Sequence, residues 1–176
     1  MKKNSKGFSL IELLIVVAII LIIAAIAIPN LLRSRMAANQ ASAVGSLRTI
    51  GTAEVTYAST YNTGYSATLA DIGPPAAAGA ASATAADMID AVLSGTNPAS
   101  ATPTKSGYTF TYTAGAADTS GNVDTFGTTS VPATVGSTGQ DAYGIDQTNV
   151  IYYTTTGTAP SITDGTTRDS TDKPLQ

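Results

Sequence analysis

Residues 6–20 read Lys6-Gly7-Phe8-Ser9-Leu10-Ile11-Glu12-Leu13-Leu14-Ile15-Val16-Val17-Ala18-Ile19-Ile20, and the apolar run that opens at Leu13 continues unbroken to Ile28, where Pro29 follows. From Phe8 to Ile28 there are 21 residues. As an α-helix they would rise about 31 Å, at about 1.5 Å per residue, which matches a hydrocarbon core about 30 Å thick. A cleaved secretory signal and a retained membrane helix are the two readings of such a segment. The run is longer than a usual signal-peptide core, and no Ala-x-Ala site precedes a polar mature start, so a retained helix is expected. Lys2, Lys3 and Lys6 favour a cytoplasmic N-terminus, a bias that Arg33 and Arg35 on the far side weaken without reversing.

Glu12 does not fit a plain anchor. An ionised carboxylate costs about 2.5–3.5 kcal/mol near the centre of a membrane helix and less towards its ends. Two explanations stand: the side chain sits shallow and reaches the headgroups, or it meets a positive partner. No basic residue lies within Phe8–Ile28, so that partner would come from another group or another subunit.

The stretch Lys6–Ile20 resembles the N-terminus of type IV prepilins and type II secretion pseudopilins. It shares with them a short basic leader ending in Gly, then Phe, then Glu four residues beyond it, an apolar run and a Pro. The resemblance implies a type IV pilin-like α+β fold: a long N-terminal helix, membrane-spanning in its first half and amphipathic in its second, packed on a small antiparallel sheet. It further implies cleavage between Gly7 and Phe8 by a membrane prepilin peptidase, N-methylation of Phe8, and a subunit-assembly role for Glu12. The Phe8 amine of a neighbouring subunit would supply the missing positive partner, a pairing worth most in low dielectric. Loss of the leader (1–7) removes Lys2, Lys3 and Lys6. Six basic residues then face 12 acidic ones, a side-chain charge of −6 where the whole chain has −3. Further along, Ala41–Ile50, Lys105-Ser-Gly-Tyr108 and Asp146-Gln-Thr-Asn149 look like the heads of pilins or major pseudopilins.

Helical patterning continues past the apolar assembly helix (8–29) into 30–61. Ala37, Ala41, Val44, Leu47, Val55, Ala58 and Tyr61 recur at mostly three- and four-residue steps, an amphipathic stripe, with Arg48, Thr49, Thr52, Glu54 and Thr56 mostly off it. The spacing predicts one helix over Phe8–Tyr61, kinked or loosened at Pro29, which lacks the N–H that would close a turn. Ala37, Ala41 and Gly45 form a small-residue row that would let helices approach closely. Tyr57, Tyr61 and Tyr65 stand four apart, a spacing that packing explains.

Residues 62–104 read as a loop region with one short helix. Thr84 and Asp87 offer a capping box ahead of Met88, Ile89, Val92 and Leu93, with Gly95 as the stop. The sheet is expected within 105–156. Tyr108, Phe110 and Tyr112 alternate with threonines; Phe126–Val135 forms a second strand, which Pro132 marks as an edge or a bulge. Tyr143–Ile145 and Val150–Thr155 flank a hairpin turn with Asn149 in the left-handed conformation. That makes three or four strands, followed by an exposed tail over 157–176.

Composition narrows the chemistry. With no Cys and no His there is no Ser-His-Asp triad, no thiolate nucleophile, no imidazole or thiolate zinc site and no disulfide. Charged residues are 12% of the chain, and no basic cluster lies outside the N-terminus, so neither an enzyme nor a nucleic-acid binder is expected. Asp118, Ser120, Asn122 and Asp124 are spaced as calcium ligands can be, and Asp164, Asp169 and Asp172 form a second acidic group. Solvated loop acids account for both, so no metal site is assigned and no cofactor is expected, calcium being the one candidate.

The implied function is that of a type IV pilus subunit, polymerising through its N-terminal helix and supporting adhesion, motility or surface interaction. The implied partners are other copies of the chain, the peptidase and N-methyltransferase, and inner-membrane assembly machinery. Before assembly the subunit would sit in the inner membrane, N-terminus inside, and afterwards on the cell surface. The alternative is the major pseudopilin of a type II secretion system, in a short periplasmic filament. A membrane-anchored enzyme is disfavoured by the leader motif and the missing His and Cys.

Overall fold

The structure, a computed structural model, describes residues 8–75, 79–100, 102–162 and 172–175. Its elements run α1 (Leu10–Tyr61), α2 (Ala91–Ser94), β1 (Thr104–Lys105), β2 (Tyr108–Ala114), β3 (Phe126–Pro132), β4 (Ala142–Asp146), β5 (Ile151–Thr154) and β6 (Lys173–Pro174). This is the expected α+β, pilin-like arrangement of a long helix with an antiparallel sheet. The chain divides into two compact units, Met1–Arg35 and Met36–Gln176, and α1 supplies residues to both.

In the second unit the sheet is a meander in which each strand pairs with the next, in the order β1 to β6. Ser106 (φ 51°) and Gly107 (φ 73°) make the two-residue β1–β2 turn, both in the left-handed region that such hairpins require. Along β2 the alternation of Tyr108, Phe110 and Tyr112 with threonine works as the sequence predicts. Tyr108 and Phe110 are buried and Tyr112 half-buried, against a core that includes Leu47, Ile50, Phe126 and Ile145. At the β4–β5 hairpin Asn149 has φ 57°, and its N–H donates to the Asp146 carbonyl at 2.9 Å.

Several expectations are corrected. Six strands stand where three or four were expected. β3 is an interior strand between β2 and β4, so Pro132 marks neither an edge nor a bulge. It is the last residue of β3, opposite Tyr108, and the β3–β4 ladder ends at Ser130, so no partner requires a Pro132 N–H. The strand also stops there, leaving Val135 exposed. Among its described residues the expected tail is exposed in part, at Thr158, Ala159, Ser161 and Lys173–Pro174, but it is not free of the head. Ile162 is buried over the outer face of the sheet, where Gly127 and Gly144 leave room for it, and Lys173–Pro174 pairs with β5. This explains why all of β4 is buried: α1 and the core cover one face, Ile162 the other.

The short helix begins later than the capping box suggested. Ala86, Asp87 and Met88 donate their N–H groups to the carbonyls of Asp71, Gly73 and Ile72 at 2.7–2.8 Å, and Asp87 has φ 55°, so this backbone is not free to coil. Asp90 is the true N-cap. Its Oδ1 accepts from the Val92 and Leu93 N–H groups at 3.1 Å, while Gly95 (φ 73°) ends the helix. Burial pushes the Asp90 carboxyl up, but Lys105, 2.7 Å away, together with the two N–H donors outweighs it and holds the group below its ordinary value.

The buried face of α1 is rotated from the predicted stripe. Ala43, Ser46, Leu47, Ile50, Gly51, Ala53, Glu54 and Tyr57 are buried, whereas Ala37, Ala41 and Val55 are exposed; Leu47 alone belongs to both sets as a fully buried residue. Gly51 sets how closely the sheet approaches. A Cβ there would lie 2.2 Å from Asn149 Oδ1 and 2.8 Å from Ile145 Cδ1.

Two outcomes follow for the full chain in detergent. Gly51→Ala loses about 1 kcal/mol of stability, overpacking against Asn149 and Ile145 exceeding the gain in helix propensity, and adding Asn149→Gly, which keeps the left-handed turn, recovers the loss in urea unfolding. Asp90→Ala costs about 1 kcal/mol, whereas Asp90→Asn keeps most of the cap; the same titration distinguishes them.

Candidate functional site

The first unit holds the residues singled out by the motif. Gly7 and the leader lysines Lys2, Lys3 and Lys6 lie outside the described residues. Phe8 is 77% exposed and precedes the helix. The helix starts at Leu10 instead of Phe8 because Ser9 caps it: the Leu13 N–H donates to the Ser9 carbonyl at 3.2 Å. Glu12 then occupies the third helical position, and its Oε2 accepts from the Ser9 N–H at 3.2 Å. This is the carboxylate half of a capping box, placed at the positive end of the helix dipole. The signal, Ser9-x-x-Glu12, stands openly in the sequence and was missed in favour of the weaker match at Thr84 and Asp87. Among the described residues the one ion pair is Lys105–Asp90, so Glu12 has a backbone partner but no cation.

From Leu10 to Leu32 all sixteen Leu, Ile and Val side chains are exposed. A helix apolar on every side is made for lipid or for other apolar helices, and this one is long and apolar enough to cross a membrane. The helix continues unbroken through Pro29. The missing N–H there leaves the Ala25 carbonyl without its usual partner, the local weakness expected of an internal proline.

In the second unit Ala37, Ala41 and Gly45 are exposed, and a Cβ on Gly45 would meet nothing within 4 Å, so no contact among the described residues requires a glycine there. The tyrosines pack as expected. The Tyr57 and Tyr61 rings lie 4.9 Å apart, Tyr65 meets Phe126 edge-on at 4.8 Å, and the Tyr57 hydroxyl donates to the Ala83 carbonyl at 2.6 Å.

The two acidic groups turn inward on their own backbone. Asp118 Oδ1 accepts from the Ser120 and Asn122 N–H groups, each at 2.8 Å. Asp172 Oδ2 accepts from the Ser161 N–H at 3.1 Å, while Asp164 and Asp169 lie outside the described residues. Among the described residues no three acidic side chains gather as a metal site would need.

Glu54 is the residue that periodicity misplaced. It is fully buried. The Ser66 N–H donates to its Oε2 at 2.9 Å, the Ser66 hydroxyl meets its Oε1 at 2.6 Å, and Tyr112 donates to the Ser66 carbonyl at 2.8 Å. Burial drives the Glu54 carboxyl above its ordinary value; the Ser66 and Tyr112 hydrogen bonds oppose that, and the like charge of Asp71 adds to it. The same burial, reinforced by Glu54, raises the Tyr112 phenol.

Comparison with known proteins bears on the first unit above all. The family model described as the prokaryotic N-terminal methylation motif matches residues 2–28. Over 37 residues the chain is 68% identical to the type IV wide pilus major component PilA4 of Thermus thermophilus, covering 21% of this chain and 28% of that protein. Over 54 residues it is 46% identical to the type IV major pilin protein PilA of Myxococcus xanthus, covering 31% of this chain and 24% of that one. The chain thus spans about a quarter of the length of these relatives (28% and 24%). No solved structure matches it significantly. Over its N-terminal segment, through the methylation motif and the two pilins that share its sequence there, the chain is similar to type IV pilins.

Proposed function

We propose that the chain is a structural, non-catalytic subunit of a type IV pilus, matured between Gly7 and Phe8, N-methylated on Phe8 and polymerised through its N-terminal helix. The observation that carries this reading is the helix with sixteen exposed large apolar side chains and one carboxylate at its start. Each such side chain left in water forfeits about 1.5–3 kcal/mol. Lipid and a bundle of like helices satisfy them equally well, so passing from one to the other gains little hydrophobic energy. What favours the filament is then close packing and polar pairing, and here Glu12 enters. Cleavage creates a positive amine at Phe8, and in low dielectric the amine of one subunit and Glu12 of the next each need the other.

Before assembly the same helix anchors the subunit in the inner membrane, with the leader on the cytoplasmic side; after assembly the heads form the outer surface of the pilus. Both similar proteins carry pilus names, which favours the pilus over a secretion pseudopilus.

Mass spectrometry of the mature protein should find N-methyl-Phe8 at its start, and an intact or differently cut N-terminus would overturn the assignment. Sheared extracellular fibres should contain the chain. If it is missing from fibres while its deletion blocks protein export, the secretion reading replaces the pilus. Glu12→Gln separates capping from charge, since Gln also completes a capping box. The variant should be cleaved normally and keep its helix content, yet yield at least about tenfold fewer filaments, the factor that corresponds to about 1.4 kcal/mol. Normal filament yield from Glu12→Gln would overturn the pairing.

A further inference from the structure

Glu54 lies in the second unit, between the side chains of α1, the segment after Tyr65 and β2. Among the described residues the titratable groups around it are Tyr57 on its own helix, Tyr112 on β2 and Asp71 on the segment after Ser66. None is a cation, and the single ion pair among the described residues lies elsewhere, at Lys105 and Asp90. A carboxylate in this place would be buried with another negative charge near it and no cation beside it, offset by hydrogen bonds alone, a costly arrangement.

The protons can be counted. Tyr112 gives its hydroxyl proton to the Ser66 carbonyl at 2.8 Å. Ser66 has one hydroxyl proton, yet its Oγ lies 2.6 Å from Glu54 Oε1 and 3.0 Å from the Thr68 carbonyl. A carbonyl can only accept. With Glu54 ionised, the Ser66 proton serves one of these contacts, and the other sets two lone-pair oxygens against each other. With a proton on Oε1, Glu54 donates to Ser66 Oγ and Ser66 donates to the Thr68 carbonyl, while the Ser66 N–H still serves Oε2 at 2.9 Å. Each proton then has its own acceptor. Of these contacts only the longest, 3.2 Å between the Ser66 and Tyr112 hydroxyl oxygens, is left without one.

We propose that Glu54 keeps its proton in the folded protein and donates it to Ser66 Oγ, so that Glu54, Ser66 and Tyr112 form a proton-operated latch fastening the 66–71 segment and β2 to α1. The inference concerns the head alone and does not depend on the polymerisation reading. Its sign is opposite to that of a salt-bridged carboxylate. A glutamate whose folded value is raised stabilises the fold fully below its unfolded value, about 4.3, and that contribution is lost as pH rises through the folded value.

Glu12 and Glu54 are the two glutamates of the chain, so selective δ-¹³C-glutamate labelling yields two carboxyl resonances. In the full chain in detergent micelles at pH 6, the Glu54 resonance should sit at the position of a protonated acid. It should persist in Glu12→Gln and vanish in Glu54→Gln. A Glu54 resonance already ionised at pH 6 overturns the proposal. Unfolding supplies a second measurement. Between the unfolded and folded values the wild-type folding constant should fall about tenfold per pH unit relative to Glu54→Gln, which cannot titrate. Parallel pH profiles for the two chains would also overturn the latch, and if Glu54→Gln does not fold, the resonance in the Glu12→Gln chain decides by itself.

Discussion

The head is organised on one helix face. With no cysteine in the chain and no metal cluster among the described residues, what holds the sheet to residues 43–57 of α1 is shape and burial. The face is unusual in being made partly of small and polar residues. Leu47 and Ile50 supply the apolar contact, Gly51 lets the β4–β5 hairpin come within touching distance, and Glu54 reaches through to the segment beyond the helix. Each of these depends on the register of the helix against the sheet. A quarter-turn of α1 would bring exposed threonines to the core and put Glu54 into solvent.

The same chain uses its two glutamates in contrasting ways. Glu12 is exposed and ties the first turn of its helix together by accepting from a backbone N–H. Glu54 is sealed from water and meets a serine and a tyrosine. Neither is matched by a cation among the described residues. At Glu12 the carboxylate is offset by a single backbone N–H at the start of its helix. At Glu54 it is a group for which neutrality is the cheapest state.

The parts most legible in the sequence were those with high local contrast. The apolar run could hardly be read as anything but a helix suited to lipid, and the Tyr-Thr alternation of β2 announced its pleat. The left-handed Asn149 followed from turn chemistry alone. Contrast was missing along residues 37–61, where alanines and threonines occur on every side of the helix and the face is chosen by Ser46, Gly51 and Glu54, residues that no hydrophobic period selects. The third-position Glu12 was legible as a capping residue, but its place within an apolar run drew attention to its charge instead. The start of the short helix and the return of the chain at Lys173 were not legible, because both depend on backbone partners distant in sequence: Asp71–Gly73 for the first and β5 for the second.

The order of the strands has a kinetic meaning. Because every strand pairs with its neighbour in sequence, most of the sheet can close through successive local hairpins, with short loops to order at each step up to β5. No oxidation step stands between the unfolded chain and the finished head, and of the strands only β5 waits for a distant partner to cover its edge. The long-range steps are the docking of α1 and the late addition of β6. A chain that closes its sheet in this order is spared most of the slow, exposed intermediates from which β-rich chains aggregate.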